Sequence, residues 1–227
     1  MKYTWLLFDA DGTLFDYDQA EASALQRTFE NFRLQYEPAY REIYRRINHQ
    51  LWIEFENGSV SSELLRVKRF ELLFAEIGIA VNTESFSNKY LSNLANASEL
   101  MDGAFEVVQV LRERYQLGLI TNGLKDVQRP RLVQSALRDC FAVFVISEEV
   151  GAAKPDPAIF DVAFQRMGNP TRDQVLLIGD SLTSDIQGGN NYGIDTCWFN
   201  PSHAPRNDSV TSTYEISRLN DLVQILL

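Results

Sequence analysis

Asp9 and Asp11 stand two residues apart, directly after the apolar run Leu6–Phe8, and Gly12 follows them. Two carboxylates that close repel, and burying them costs several kcal/mol unless something positive sits between them. The same kind of placement recurs later in the chain. Thr121, Asn122 and Gly123 close the run LGLITNG; a loop after VFVIS leads to Lys154; Asp180, Ser181 and Asp185 follow QVLLIG. Carboxylates and hydroxyls thus sit just past three apolar runs, and a lysine past a fourth is positioned to join them.

The runs that carry these residues are too short for free-standing helices and rich in Val, Ile and Leu, as buried parallel strands are. Trp5–Phe8, Leu117–Gly123, Val143–Ser147, Gln174–Ser181 and Asp195–Asn200 supply five of them. Helix-length segments lie between. Ala104–Tyr115 follows Asp102 as a cap, with Val107, Val108 and Leu111 at helical spacing; another helix opens at Pro157 and closes at Gly168. Strands alternating with helices predict an α/β fold with a doubly wound parallel sheet, whose ligands sit beyond the carboxyl ends of the strands near the topological switch point. All four polar groups above fall at that edge. Singly, Asp11-Gly12 is a turn, Thr121 and Asn122 satisfy loop backbone, Lys154 is a solvated lysine, and Asp185 sits at a helix N-terminus. Jointly they mark one site.

Residues 17–98 follow a different period. Leu25, Phe29 and Phe32 form one helical stripe and Tyr40, Ile43, Tyr44, Ile47 and Leu51 a second. SSELLRVKRFELLFAEIG and Thr83–Ala97 supply a third and a fourth helix. The expected organisation is a core of residues 1–16 and 99–227 with a helical insert, 17–98, after the first strand. In composition the chain is an ordinary globular protein: 227 residues, 45% hydrophobic, 23% charged. A net charge of −10 repels nucleic acid and anionic membranes. No apolar stretch approaches the ~20 residues of a membrane span, the N-terminal run is too short for a signal peptide, and the two cysteines, Cys140 and Cys197, lack ligand spacing. The expectation is a reduced, cytoplasmic protein, monomeric or weakly dimeric, without nucleic-acid or membrane partners.

The full order DxDGT…TN…K…GDxxxD, carried here by FDADGTLF, LITNG, SEEVGAAKPDPAIF and LIGDSLTSDIQGGNNYG, resembles the haloacid dehalogenase-like phosphohydrolase superfamily over the whole chain. The resemblance implies a Rossmann-like core with an inserted helical cap. It also implies that Asp9 is the nucleophile on phosphorus and Asp11 the general acid and then base. Thr121 and Lys154 would hold the phosphoryl oxygens, with Asn122 and Gly123 beside them. Mg²⁺, or Mn²⁺, would be bound by Asp9, Asp180 and the Asp11 carbonyl, with Asp185 as an outer support or further ligand. The residue types suit these roles. A carboxylate nucleophile divides one hard displacement into two, and a hard cation with a lysine offsets its repulsion of phosphate. Dehalogenase members lack the second aspartate, so Asp11 and Asp180 imply phosphoryl chemistry with hydrolysis.

The segment Asn48–Phe70, together with SEEVGAAKP, resembles the bacterial pyrimidine 5′-nucleotidases of this superfamily, which implies a small phosphomonoester substrate such as a pyrimidine nucleoside 5′-monophosphate. Trp52, Phe55, Asn48 and Arg69 are candidates for lining a base slot, Trp52 and Phe55 equally for the core of the helical bundle. The competing substrates are small sugar phosphates and phosphoglycolate. A phospho-acceptor receiver domain also clusters aspartates with Thr and Lys, but such domains are shorter and carry no helical insert. A catalytically dead phospho-ligand scaffold would usually lack the nucleophile, and Asp9 and Asp11 are both present.

Overall fold

The structure, a computed structural model, describes residues 2–205 and 210–227. Six strands form one parallel sheet: β1 (Trp5–Phe8), β2 (Gln116–Thr121), β3 (Val143–Ile146), β4 (Val175–Gly179), β5 (Asp195–Phe199) and β6 (Tyr214–Ile216). Their order is β3-β2-β1-β4-β5-β6, with every neighbouring pair parallel. The order reverses between β1 and β4, so the switch point falls beside the strand that carries Asp9. The fold class expected from strand–helix alternation is the one observed. β6 is the strand that the sequence pattern did not supply.

The helices are α1 (Tyr17–Asn31), α2 (Pro38–Glu56), α3 (Ser62–Ile77), α4 (Thr83–Ala95), α5 (Ala104–Leu111), α6 (Lys125–Gln134), α7 (Ser147–Val150), α8 (Pro157–Arg166), α9 (Gln187–Tyr192) and α10 (Asp221–Leu226). A π-helical turn, Leu182–Ile186, leads into α9. By contacts the chain separates into two compact units. One holds the residues through Tyr17, Ser98–Lys125 and Leu132–Leu227; the other holds Asp18–Ala97 and Asp126–Arg131.

In the sheet-containing unit, alternation along β1 divides two cores. Leu6 and Phe8 join Leu119, Ile178 and Phe199 beneath α5 and α10, whereas Leu7 joins Ile120, Val145 and Leu177 against α8. Cys197 lies fully buried in the first of these cores, and both cysteines are free thiols. α8 begins as its sequence predicts: Asp156 accepts from the Ala158 N–H at 2.9 Å and Pro157 fills the first turn. α5 begins at Ala104 as expected but differs from its expectation in its cap and its end. It starts behind Gly103, in the left-handed region at φ 76°, with no side-chain cap from Asp102, and it stops at Leu111 rather than Tyr115. Gly189 on α9 lies so close to β5 that a Cβ there would fall 2.3 Å from Thr196 Cγ2.

The helical unit is capped from the sequence. Ser61 accepts from Leu64 N–H at 3.3 Å to open α3, Gly78 at φ 70° closes it, and Asn82 accepts from Ser85 N–H at 2.8 Å to open α4. The predicted stripes meet in an aromatic core: Phe29 packs edge-on to Phe86 at 5.3 Å, and Phe70 on Tyr90 at 5.0 Å. A buried polar chain crosses it. Arg69 donates to Asn48 Oδ1 at 3.2 Å, and Asn48 donates to Glu21 Oε2 at 3.3 Å. Asn48 and Arg69 are thus interior groups that hydrogen-bond each other. Trp52 and Phe55 are half-buried and packed edge to face.

Candidate active site

β1 ends at Phe8, and the backbone then folds back on itself: Leu14 and Phe15 N–H both reach Ala10 O, at 3.0 and 2.9 Å, while Gly12 N–H reaches Phe15 O at 2.9 Å. Gly12 sits at φ 85°, and a Cβ there would lie 2.6 Å from Asp180 Oδ2, so glycine serves both the turn and the close approach. Asp9 is buried at the start of this turn, its N–H on Ile178 O at 2.9 Å. Its side chain therefore emerges at the carboxyl end of β1, facing the ends of the neighbouring strands.

Lys154 fills the middle of the site. Its ammonium is buried and donates to Asp9 Oδ1 at 2.5 Å, Asp185 Oδ1 at 2.6 Å and Ile120 O at 2.9 Å, which satisfies all three of its protons. Burial works against the charged lysine, but Asp185 and Asp9 outweigh it and hold its pKa above the ordinary value. Asp185 is placed by the π-helical turn, and its Oδ2 accepts from Ser181 N–H at 3.0 Å. It packs against Gly179, where a Cβ would fall 2.3 Å from the carboxylate carbon. No other residue fits at position 179 without displacing Asp185.

Asp180 completes the group. Thr13 Oγ1 donates to its Oδ1 at 3.2 Å, and the Trp198 indole N–H donates to its backbone carbonyl at 2.9 Å. Asp9, Asp180 and Asp185 can each offer an oxygen within 4.8 Å of the others. Burial first, then the neighbouring carboxylates, raises Asp9 well above the usual carboxylate range despite Lys154. Burial and the charge of Asp185 push Asp180 up to about 7. Three carboxylates facing one ammonium leave a surplus of negative charge, and every donor is a hard oxygen. That donor set fits a divalent cation such as Mg²⁺.

Asp11 is half-buried and, among the described residues, outside this trio of carboxylates. Thr121 is buried at the end of β2, its Oγ1 accepting from Gly123 N–H at 3.1 Å. Asn122 turns its carboxamide to the main chain of Lys154: Lys154 N–H donates to Oδ1 at 2.7 Å, and Nδ2 donates to Lys154 O at 2.8 Å. The structure thus draws together Asp9, Asp180, Asp185 and Lys154, with Asn122 holding the main chain of Lys154. Sequence pattern did not single out Thr13, Trp198 or Gly179. Thr13 was visible inside DGT, whereas Trp198 looked only like a strand residue.

The sequence profile of the haloacid dehalogenase-like hydrolases matches residues 6–199. The chain is 37% identical to the pyrimidine 5′-nucleotidase YjjG of Escherichia coli K12, covering 100% of this chain and 99% of that protein. It is also 37% identical to the pyrimidine 5′-nucleotidase PynA of Streptococcus pneumoniae R6, covering 100% and 96%. A solved structure of Bacillus subtilis YfnB bound to magnesium superposes with a TM-score of 0.94 at 36% identity, over 100% of this chain and 99% of that one.

Proposed function

The chain belongs to the haloacid dehalogenase-like hydrolase family, and from that premise we propose that it is a Mg²⁺-dependent phosphomonoesterase acting on pyrimidine nucleoside 5′-monophosphates. The observation that carries the chemistry is the buried ammonium of Lys154 spanning Asp9 and Asp185, with Asp180 alongside. The pyrimidine nucleotide is supported by two relatives of that name, each 37% identical over essentially the full chain.

Asp9, Asp180 and Asp185, with the Asp11 carbonyl, would hold the cation. When bound, it supplies positive charge that offsets repulsion between carboxylates and phosphate. Asp9 attacks phosphorus through a carboxylate oxygen; the ester P–O bond breaks, and Asp11 gives its proton to the departing nucleoside oxygen. Asp11, now a carboxylate, takes a proton from water as that water attacks the aspartyl-phosphate, freeing inorganic phosphate and restoring Asp9. Lys154 holds Asp9 in line, and its charge offsets that of the phosphoryl group. The Thr121 hydroxyl accepts from Gly123 N–H, which leaves its own proton available to a phosphoryl oxygen.

The test is a kcat/KM comparison across nucleoside monophosphates and small sugar phosphates, with Mg²⁺ and with chelator. Pyrimidine monophosphates should lead, and chelator should abolish turnover. A sugar phosphate with the highest kcat/KM would overturn the substrate, and full activity in chelator would overturn the metal.

A further inference from the structure

A lysine side chain has a flexible four-carbon stem, and fixing it inside a protein costs rotamer entropy. The Nζ of Lys154 is nevertheless fixed on three oxygens, so something must anchor the backbone from which the stem springs. The anchor visible in the structure is Asn122. Its carboxamide presents one acceptor and one donor side by side, and the N–H and C=O of Lys154 meet them at 2.7 and 2.8 Å. Asn122 is fixed in turn from the far side. Ser147, buried at the first residue of α7, donates its hydroxyl to the Asn122 carbonyl at 2.9 Å. The loops that follow β2 and β3 are thereby locked together at the position of Lys154.

We infer that Asn122 is a positioning residue, acting on the reaction through Lys154 by clamping its main chain on both sides. The carboxamide oxygen and one N–H of Asn122 are thus committed to the main chain of Lys154. This inference rests on the proposed role of Lys154 at the phosphoryl group. Supporting partners of this kind typically carry ~10–100-fold in activity, because a small misplacement of a charged group weakens every contact it makes.

A double-mutant cycle on kcat, with thermal melting of each variant, tests it. Asn122→Ala should lower kcat by ~10–100-fold in the native background. In the Lys154→Ala background the same change should cost less than about twofold, since the group it positions is gone. Ser147→Ala, a milder change that removes a single hydrogen bond to Asn122, should repeat the pattern with a smaller loss. Equal fold losses in both backgrounds, for Asn122→Ala or for Ser147→Ala if the first variant does not fold, would mean a purely structural contribution and overturn the inference. Wild-type turnover by Lys154→Ala would instead remove the proposed role of Lys154 and the clamp's purpose with it. A Lys154→Ala enzyme with strongly reduced but measurable kcat, and additive losses on top of it, would sink the clamp alone.

Discussion

Asp9 and Asp11 are neighbours in sequence but occupy unlike surroundings. Asp9 is buried and ion-paired to Lys154, while Asp11 is half-buried and apart from the carboxylate trio. Two carboxyl groups in unlike environments can divide the work of nucleophile and proton donor. Asp9→Asn is expected to leave no turnover above background in a continuous phosphate-release assay, and substantial activity would mean another nucleophile. Asp11→Asn is expected to slow both the burst and the steady state by ~10²–10⁴-fold, the usual span for a lost general acid and base; wild-type rates would remove it from that role. At this scale the sequence was informative wherever chemistry and strand ends coincided, as with Asp9, Asp180, Asp185 and Lys154. It was silent on Trp198, which supports Asp180 only because β4 and β5 are neighbours in the sheet. It was equally silent on Gly179, whose importance lies in a side chain six residues away that must occupy its space.

Among the elements, those with a strong period or a built-in cap were legible, and those without were not. The four helices between residues 17 and 98 followed from their apolar stripes and segment lengths. α6 escaped because Pro130 interrupts it and its sequence, KDVQRPRLVQ, offers no clean apolar stripe. β6 escaped because three residues carry too little alternation to register. α5 was legible as a helix from Ala104, but its cap and its end were not: Gly103, in the left-handed region, precedes it in place of an Asp102 cap, and it stops at Leu111. Packing between elements is especially close where α9 seats on β5 at Gly189. Gly189→Ala would drive a methyl into Thr196, and overpacking of this kind typically costs ~1–3 kcal/mol. Melting should occur several degrees lower in a calorimetric scan, about 2–4 °C per kcal/mol for a chain of this size. An unchanged melting temperature would show that α9 moves aside freely.

On the scale of the whole molecule, the sheet protects what it encloses. Cys197 in β5 is fully buried, and burial pushes its thiol up to about 12. The thiolate is the reactive form, so raising the pKa lowers reactivity at every pH below it. At pH 8 iodoacetamide should leave Cys197 untouched in the native protein and modify it in denaturant, as read by peptide mass spectrometry. Rapid native labelling would show that β4, β5 and β6 part without global unfolding. The place of β1 between β2 and β4 has a further consequence, for the time course of synthesis. Trp5 pairs with Gln116 on one side and Val175 on the other. At ~5–20 residues per second, the ribosome needs roughly 10–35 s after making β1 to deliver β4. Asp9, directly after β1, is therefore made well before the strand that leads to Asp180 exists. It gains its neighbours on that side only once β4 has been made and paired with β1.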